Sequence, residues 1–227
     1  GTPQAPWPAG TRSFSFEFAP FTGSSGDASF ALVASVNTGI GIRTLYTSGT
    51  TVTFYQGSAQ QVISSTSAGN ITAVPLATPV ETSALFVAFT NYSASTAGQA
   101  FMVYIATGGN LSTSSTQTFS TKATGCSAAR ISDTEAILTY REENDAFQQY
   151  TWQKITAPDT FGGTITFDDR NYVVRTSYGS LLAGLTDNLL IGDYDNTGTT
   201  GLPELIIIGP EATEDYSILG IANTTSD

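Results

Sequence analysis

Ser13-Phe14-Ser15-Phe16-Glu17-Phe18 is the stretch that decides the fold. Its residues alternate apolar and polar, so on an extended chain the three phenylalanines share one face and Ser13, Ser15 and Glu17 share the other. The pattern predicts a half-buried β-strand with its apolar face inward. Thr51-Val52-Thr53-Phe54 and Thr164-Ile165-Thr166-Phe167 repeat it. Other runs are apolar on both faces: 31–36, 84–89, 101–105 and 205–208. Those are predicted to be central strands, covered from two sides. Segments rich in Gly, Asn and Ser at 22–27, 37–41, 106–115, 157–163 and 195–203 read as turns and loops. Glu142 to Gln149 is the one stretch with any helical character, and its polarity favours a loop.

Composition agrees with an all-β chain. Charged residues are 12% of 227 and hydrophobic residues 40%, so solubility rests on Ser, Thr, Asn, Gln and Gly, the residues of strands and turns. A chain of this length forms one sizeable core. The expected fold is a single-domain antiparallel β-barrel or sandwich with long loops. The alternative is a small four-bladed β-propeller, because apolar runs begin at Ala31, Ala84, Ala136 and Leu189, in steps of 53, 52 and 53 residues. Against a strict repeat, Phe54, Phe119 and Phe167 fall 23, 35 and 31 residues after their anchors.

Residues 1–11 carry Pro3, Pro6 and Pro8, which favour an extended strap or linker, and 12–227 form the β domain. With no initiator Met, the expectation is a domain cut from a larger protein. No apolar run approaches the ~20 residues of a membrane span, so no membrane insertion is expected. The net charge is −11, and the 52 residues after Arg175 hold eight acids and no Lys or Arg. Such a field repels phosphates and anionic lipid, which excludes nucleic acid as a partner.

The chemistry of catalysis is thinly represented. There is no histidine, so Ser-His-Asp and Cys-His units are impossible and the commonest neutral-pH proton shuttle is missing. Cys126 is the single cysteine; it forms no internal disulfide and reads as a buried small apolar residue. Arg130 and Lys122 lie near it in sequence. Asp133, Glu135, Glu142, Glu143, Asp145, Asp168 and Asp169 could supply a carboxylate pair for glycoside hydrolysis, but solvated turn carboxylates are the default. The chain is read as no enzyme, with no catalytic residue and no cofactor.

One local motif fits a cation. From Asp193 as position 1, acids fall at Asp193, Asp195 and Glu204 (positions 1, 3 and 12), Thr197 at 5 and Gly198 at 6, the spacing of a twelve-residue calcium loop. Thr197 departs from the usual Asp or Asn, and the apolar flanks read as strands, so a metal-free hairpin loop competes with the calcium reading.

Trp7, Trp152, Tyr46, Tyr92, Tyr150 and Tyr178 could form a platform for sugar or protein. Core packing is the alternative, and for Tyr150 and Trp152, which share a sheet face, it is preferred. Sequons at Asn70, Asn91, Asn110 and Asn223 add weak support for a secretory history.

The Pro-rich strap, the Phe-alternating first strand and the Ser/Thr/Gly-rich β texture together resemble a viral capsid projection, loosely the spike domain of astrovirus-type capsid proteins. The resemblance implies a mostly β-barrel unit, a homodimer on the virion surface, that binds a host-cell receptor, protein or glycan, and is displayed to antibodies. A shell domain would bring a basic arm; this chain has none. From Cys126 to Tyr194, notably Ser127-Ala128-Ala129-Arg130-Ile131-Ser132-Asp133-Thr134-Glu135-Ala136-Ile137-Leu138-Thr139-Tyr140-Arg141, the chain is also similar to propeller-like repeats of phage particle proteins. Neither resemblance supplies a receptor-binding residue. A secreted carbohydrate-binding, lectin-like module is the competing expectation.

Overall fold

The structure, a computed structural model, describes the backbone of residues 13–21, 28–37, 39–55, 60–64, 67–77, 83–106, 109–142, 150–174, 177–185, 188–195, 202–210 and 216–223. Side chains are described at 17–21, 28–37, 39–55, 67–77, 83–106, 109–142 and 151–170. Trp7, Glu143, Asp145, Thr197 and the stretch 143–149 lie outside the described residues.

The chain is all-β, and its strands form antiparallel sheets that follow one another in sequence. The first sheet holds β1 (Ser13–Phe21), β2 (Ser29–Val36), β3 (Gly39–Ser48), β4 (Thr51–Phe54) and β5 (Gln60–Ser64). The second holds β6 (Ala68–Leu76), β7 (Ala84–Asn91), β8 (Ala97–Ile105), β9 (Leu111–Thr113) and β10 (Gln117–Ser120). β11 (Ala123–Arg130), β12 (Glu135–Glu142), β13 (Tyr150–Thr156), β14 (Thr166–Phe167) and β15 (Asn171–Val174) make the third. β16 (Ser177–Leu185), β17 (Asn188–Asp195), β18 (Leu202–Pro210) and β19 (Tyr216–Asn223) make the fourth. No sheet closes into a barrel; successive sheets pack face to face, as in a sandwich. In each of the first three, the third long strand pairs with two short ones at its outer edge.

Packing explains the runs that are apolar on both faces. Leu85, Val87 and Phe89 of β7 face Val33, Ile40 and Ile42 of the first sheet, while Ala84, Phe86 and Ala88 face Leu138, Tyr140 and Ile155 of the third. The second sheet is the middle layer, so alternation disappears where both sides are dry. Removing one of these rings, as in Phe86→Ala, takes away ~3–5 kcal/mol of burial and packing. On the third sheet's other face Ile137, Thr139 and Trp152 are buried too, where β16 meets β11 and β12.

Three expectations are corrected here. Along β1 the facing is the reverse of the expected one: Phe18 is 52% exposed, whereas Ala19 is buried and Glu17, on Ala19's face, is aligned with Val33 toward the second sheet. The reason is that the first sheet is apolar on both faces, so alternation along β1 does not say which face meets the second sheet. The 52-residue step to Ala136 is one residue out of phase: Ala31 and Ala84 face the following sheet, but Ala136 faces the preceding one. A slip of one residue inverts a strand. Finally, 39–41 is the start of β3 rather than a turn, its glycines taking extended pairing opposite Val36 and Ala34.

Candidate functional site

Among the described residues, the most chemically distinctive exposed surface grows from an irregularity in β6. Pairing with β7 slips between Gly69 and Thr72, leaving one extra residue on β6. Asn70 takes a left-handed φ of 49° there, a conformation asparagine tolerates better than most residues. Gly69 lets the ring close in beside it, since a Cβ at that position would lie 3.0 Å from the Tyr92 ring.

Tyr92 is held in turn by the end of β7. Asn91 Oδ1 accepts hydrogen bonds from the amides of Ser93 and Ala94 at 3.0 and 3.2 Å, capping a single 3-10 turn, Tyr92–Ala94. The Tyr92 amide donates to Ser67 O at 2.7 Å, which ties the turn to the start of β6. Tyr92 stands 44% exposed on this support, and Asn70 Nδ2 donates to its hydroxyl at 2.9 Å. Beside it, Asn91 Nδ2 donates to Gln99 Oε1 at 3.0 Å and Gln99 Nε2 to Thr118 Oγ1 at 3.4 Å. Beneath, Thr90 Oγ1 donates to Ala123 O at 2.9 Å and anchors the edge to the third sheet.

The result is a surface without acidic or basic side chains: one aromatic ring, three carboxamides and a hydroxyl. A tyrosine face suits the C–H face of a sugar ring, and carboxamides both donate and accept toward hydroxyls. The chain's net charge of −11 disfavours anionic ligands over neutral ones at any such surface. The sequence pointed to Tyr92 as an aromatic and to Asn70 and Asn91 as sequons, but not to their meeting, nor to Gln99. Gly69-Asn70 interrupting an otherwise strand-like run is the signal that marks the bulge.

The other aromatic candidates are placed differently. Tyr46 is half-buried and packs on Tyr55 at 4.9 Å; Tyr55 in turn lies against Phe21 at 6.4 Å and fills the space over Gly109. Those rings clamp Gly109 of the second sheet onto the first, helped by Thr44 Oγ1 donating to Gly109 O at 3.0 Å. Trp152 is buried. The backbones of Tyr150 and Tyr178 lie in β13 and β16.

Four of the candidate carboxylates meet cations. Asp133 pairs with Arg130, Glu135 and Asp168 hold Lys154 at 3.4 and 3.5 Å, and Glu142 holds Arg170 at 2.6 Å. Asp193, Asp195 and Glu204 belong to a β17–β18 hairpin in which Asp193 is aligned with Glu204 and Asp195 with Leu202. Its flanks are strands, as the sequence suggests. No group of three or more acids or thiols able to hold a metal occurs among the described residues. Cys126 is buried in the core between the second and third sheets, its Sγ 4.0 Å from Thr90 Oγ1, and burial pushes its thiol up to about 12. No helix among the described residues is long and apolar enough to cross a membrane.

Comparison with protein-family models and with curated proteins finds no match to this chain.

Proposed function

We propose that the chain is a recognition domain carried on a virion surface, where it attaches the particle to a host-cell receptor bearing a neutral glycan. The observation that carries the recognition reading is the exposed Tyr92 ring, fixed by Asn70 and flanked by Asn91 and Gln99 on a sheet edge. A site of that kind is held by the scaffold before any ligand arrives, so binding orders few side chains. The viral setting is supported by the sequence resemblance. An outward projection of this kind is also what antibodies meet.

A homodimer belongs to the same proposal. Its interface is not drawn by any broad apolar patch among the described residues: Phe18, Val52, Tyr92 and Phe161 are the large exposed apolar side chains there, and each stands on a different element. Phe18, Val52 and Phe161, scattered singly, mark no interface of their own.

The second reading, a secreted carbohydrate-binding module, is favoured by the same tyrosine and amides. The flanking sequence of the full-length precursor separates the two: an upstream basic region of shell-domain size belongs only to a capsid protein.

The test is the purified domain on a panel of immobilised neutral and acidic glycans, with and without calcium. Binding to neutral glycans is expected, with Tyr92→Ala lowering affinity about tenfold, the loss of ~1.4 kcal/mol of stacking and hydrogen bonding. Tyr92→Phe, which keeps the ring, is expected to lose less. Preference for acidic glycans, or hits that ignore Tyr92, would overturn the assignment.

A further inference from the structure

The first sheet has a second apolar face, turned away from the second sheet. Phe18, Phe30, Leu32, Ala34, Val36 and Leu45 share it by register, and Arg43, aligned with Leu32, lies among them with its guanidinium over the Phe54 ring. None of them belongs to either of the two core clusters, yet Leu32, Ala34, Val36 and Leu45 are 7%, 0%, 7% and 6% exposed. Something in the same chain therefore covers them, and the second and third sheets lie on the wrong side to do it.

We infer that the fourth sheet covers this face, closing the four sheets into a ring. Three observations point to it as the occupant. First, the sheets stack in order: β1 contacts β6, β6 contacts β11 and β11 contacts β16. Each sheet turns one face to the sheet before it and the other to the sheet after it, so the fourth sheet continues the stack with one face still to place. Second, the fourth sheet repeats a defect of the others. Between the first and second strands the pairing slips at Ser13/Ser15, at Gly69/Thr72, at Thr124/Ser127 and at Ser177/Ser180, and each slip leaves one extra residue on the first strand. A bulge at one corresponding place in every sheet is a feature of a repeated unit. Third, the sequence after the second strand reads Asn37-Thr38-Gly39 in the first sheet and Asn196-Thr197-Gly198 in the fourth, 159 residues later, three steps of 53. β2, β12 and β17 also start at Ser29, Glu135 and Asn188, on the same 53-residue step. That step keeps the facing: Ala31, Ala84 and Ile137 each face the following sheet.

A ring is the arrangement that leaves no terminal face of such a stack in water. It runs β1, β6, β11 and β16 the same way around one axis and gathers the four bulges at one mouth, beside Asn70 and Tyr92. Phe18 remains 52% exposed on the covered face, so the covering stops short of β1 in this structure. This inference does not depend on the ligand of the Tyr92 surface.

Methyl-labelled full-length protein tests it. Nuclear Overhauser contacts are expected from the Leu32 and Val36 methyls to Leu and Ile methyls within 188–208, and they should survive dilution of labelled chains into unlabelled ones. Contacts only to residues 1–12, or contacts made solely between labelled and unlabelled copies, would overturn the ring; the latter would mean that a second copy covers the face. Ala34→Leu gives an independent reading. With the face covered, the larger side chain lowers Tm by about 5 °C; an unchanged Tm would mean open space above Ala34.

Discussion

Removing Arg170 should unsettle the junction between the second and third sheets. Glu142 closes β12 with its side chain only 6% exposed, and its Oε1 receives Arg170 Nη1 at 2.6 Å and Ser120 Oγ at 3.1 Å. The other guanidinium nitrogen, Nη2, donates to Phe119 O at 2.9 Å, so one side chain bridges β10 and β12. Arg170→Ala leaves a buried carboxylate with the Ser120 bond alone. A charge-assisted hydrogen bond is worth ~1.5–3 kcal/mol and a bond to a carbonyl ~0.5–1.5 kcal/mol. Arg170 is itself 38% exposed, and water screens part of that, so the expected loss is about 2–3 kcal/mol. For a domain of this size that lowers Tm by roughly 4–12 °C in calorimetry. Glu142→Gln should cost less, because the guanidinium left behind is partly hydrated, and the double variant should be more stable than Arg170→Ala alone. A Tm for Arg170→Ala within a degree of wild type, or the reverse order of the two single variants, would refute this account of the junction.

Three further outcomes follow from particular residues. The Cys126 thiol, buried and pushed up to about 12, should be inert to a disulfide reagent in the native protein at mildly alkaline pH and react fully once the chain is unfolded; rapid native-state labelling would place Cys126 elsewhere than the core. Burial raises the Glu17 carboxyl above its ordinary value, so its protonated form is the one the fold favours: its contribution is fully present below the unfolded value, about pH 4, and is lost as pH rises through the folded one. Glu17→Gln is therefore expected to unfold at higher temperature than wild type near neutral pH, with the gap closing below about pH 4, and a gap that widened on acidification would contradict the placement of Glu17. Gly98→Ala puts a Cβ 2.6 Å from Phe119 Cζ and 2.7 Å from Ala123 Cβ, where Phe119 is already wedged against Tyr140 at 5.0 Å; denaturant melts should show a loss of about 1–3 kcal/mol.

Much of the fold is written in local patterns. Ala84 to Phe89 is apolar at every position because two sheets cover it, and Gly- and Asn-rich breaks separate most of the strands. Facing was harder to read. It depends on single residues: the extra residue at each bulge, and a 53-residue step that a count from Ala84 to Ala136 misses by one. β1 shows the consequence, since its alternation is real but its phenylalanine face is not the one against the second sheet. The candidate site was legible only in pieces. Tyr92, Asn70 and Asn91 each carry a sequence signal, but their juxtaposition follows from long-range pairing of β6 with β7, and Gln99 carries no signal at all. Tyr46 and Trp152 show the converse, aromatics taken into packing, Tyr46 against Tyr55 and Trp152 buried in the third sheet.

The central claim is that recognition takes place at the Tyr92 edge of the second sheet. The most direct measurement is a titration of isotope-labelled protein with the tightest-binding neutral glycan, following side-chain amide resonances. The largest shifts are expected at the Asn70, Asn91 and Gln99 carboxamides and the Tyr92 ring, saturating together. Saturable shifts confined to other surfaces, with these four groups silent, would contradict the claim.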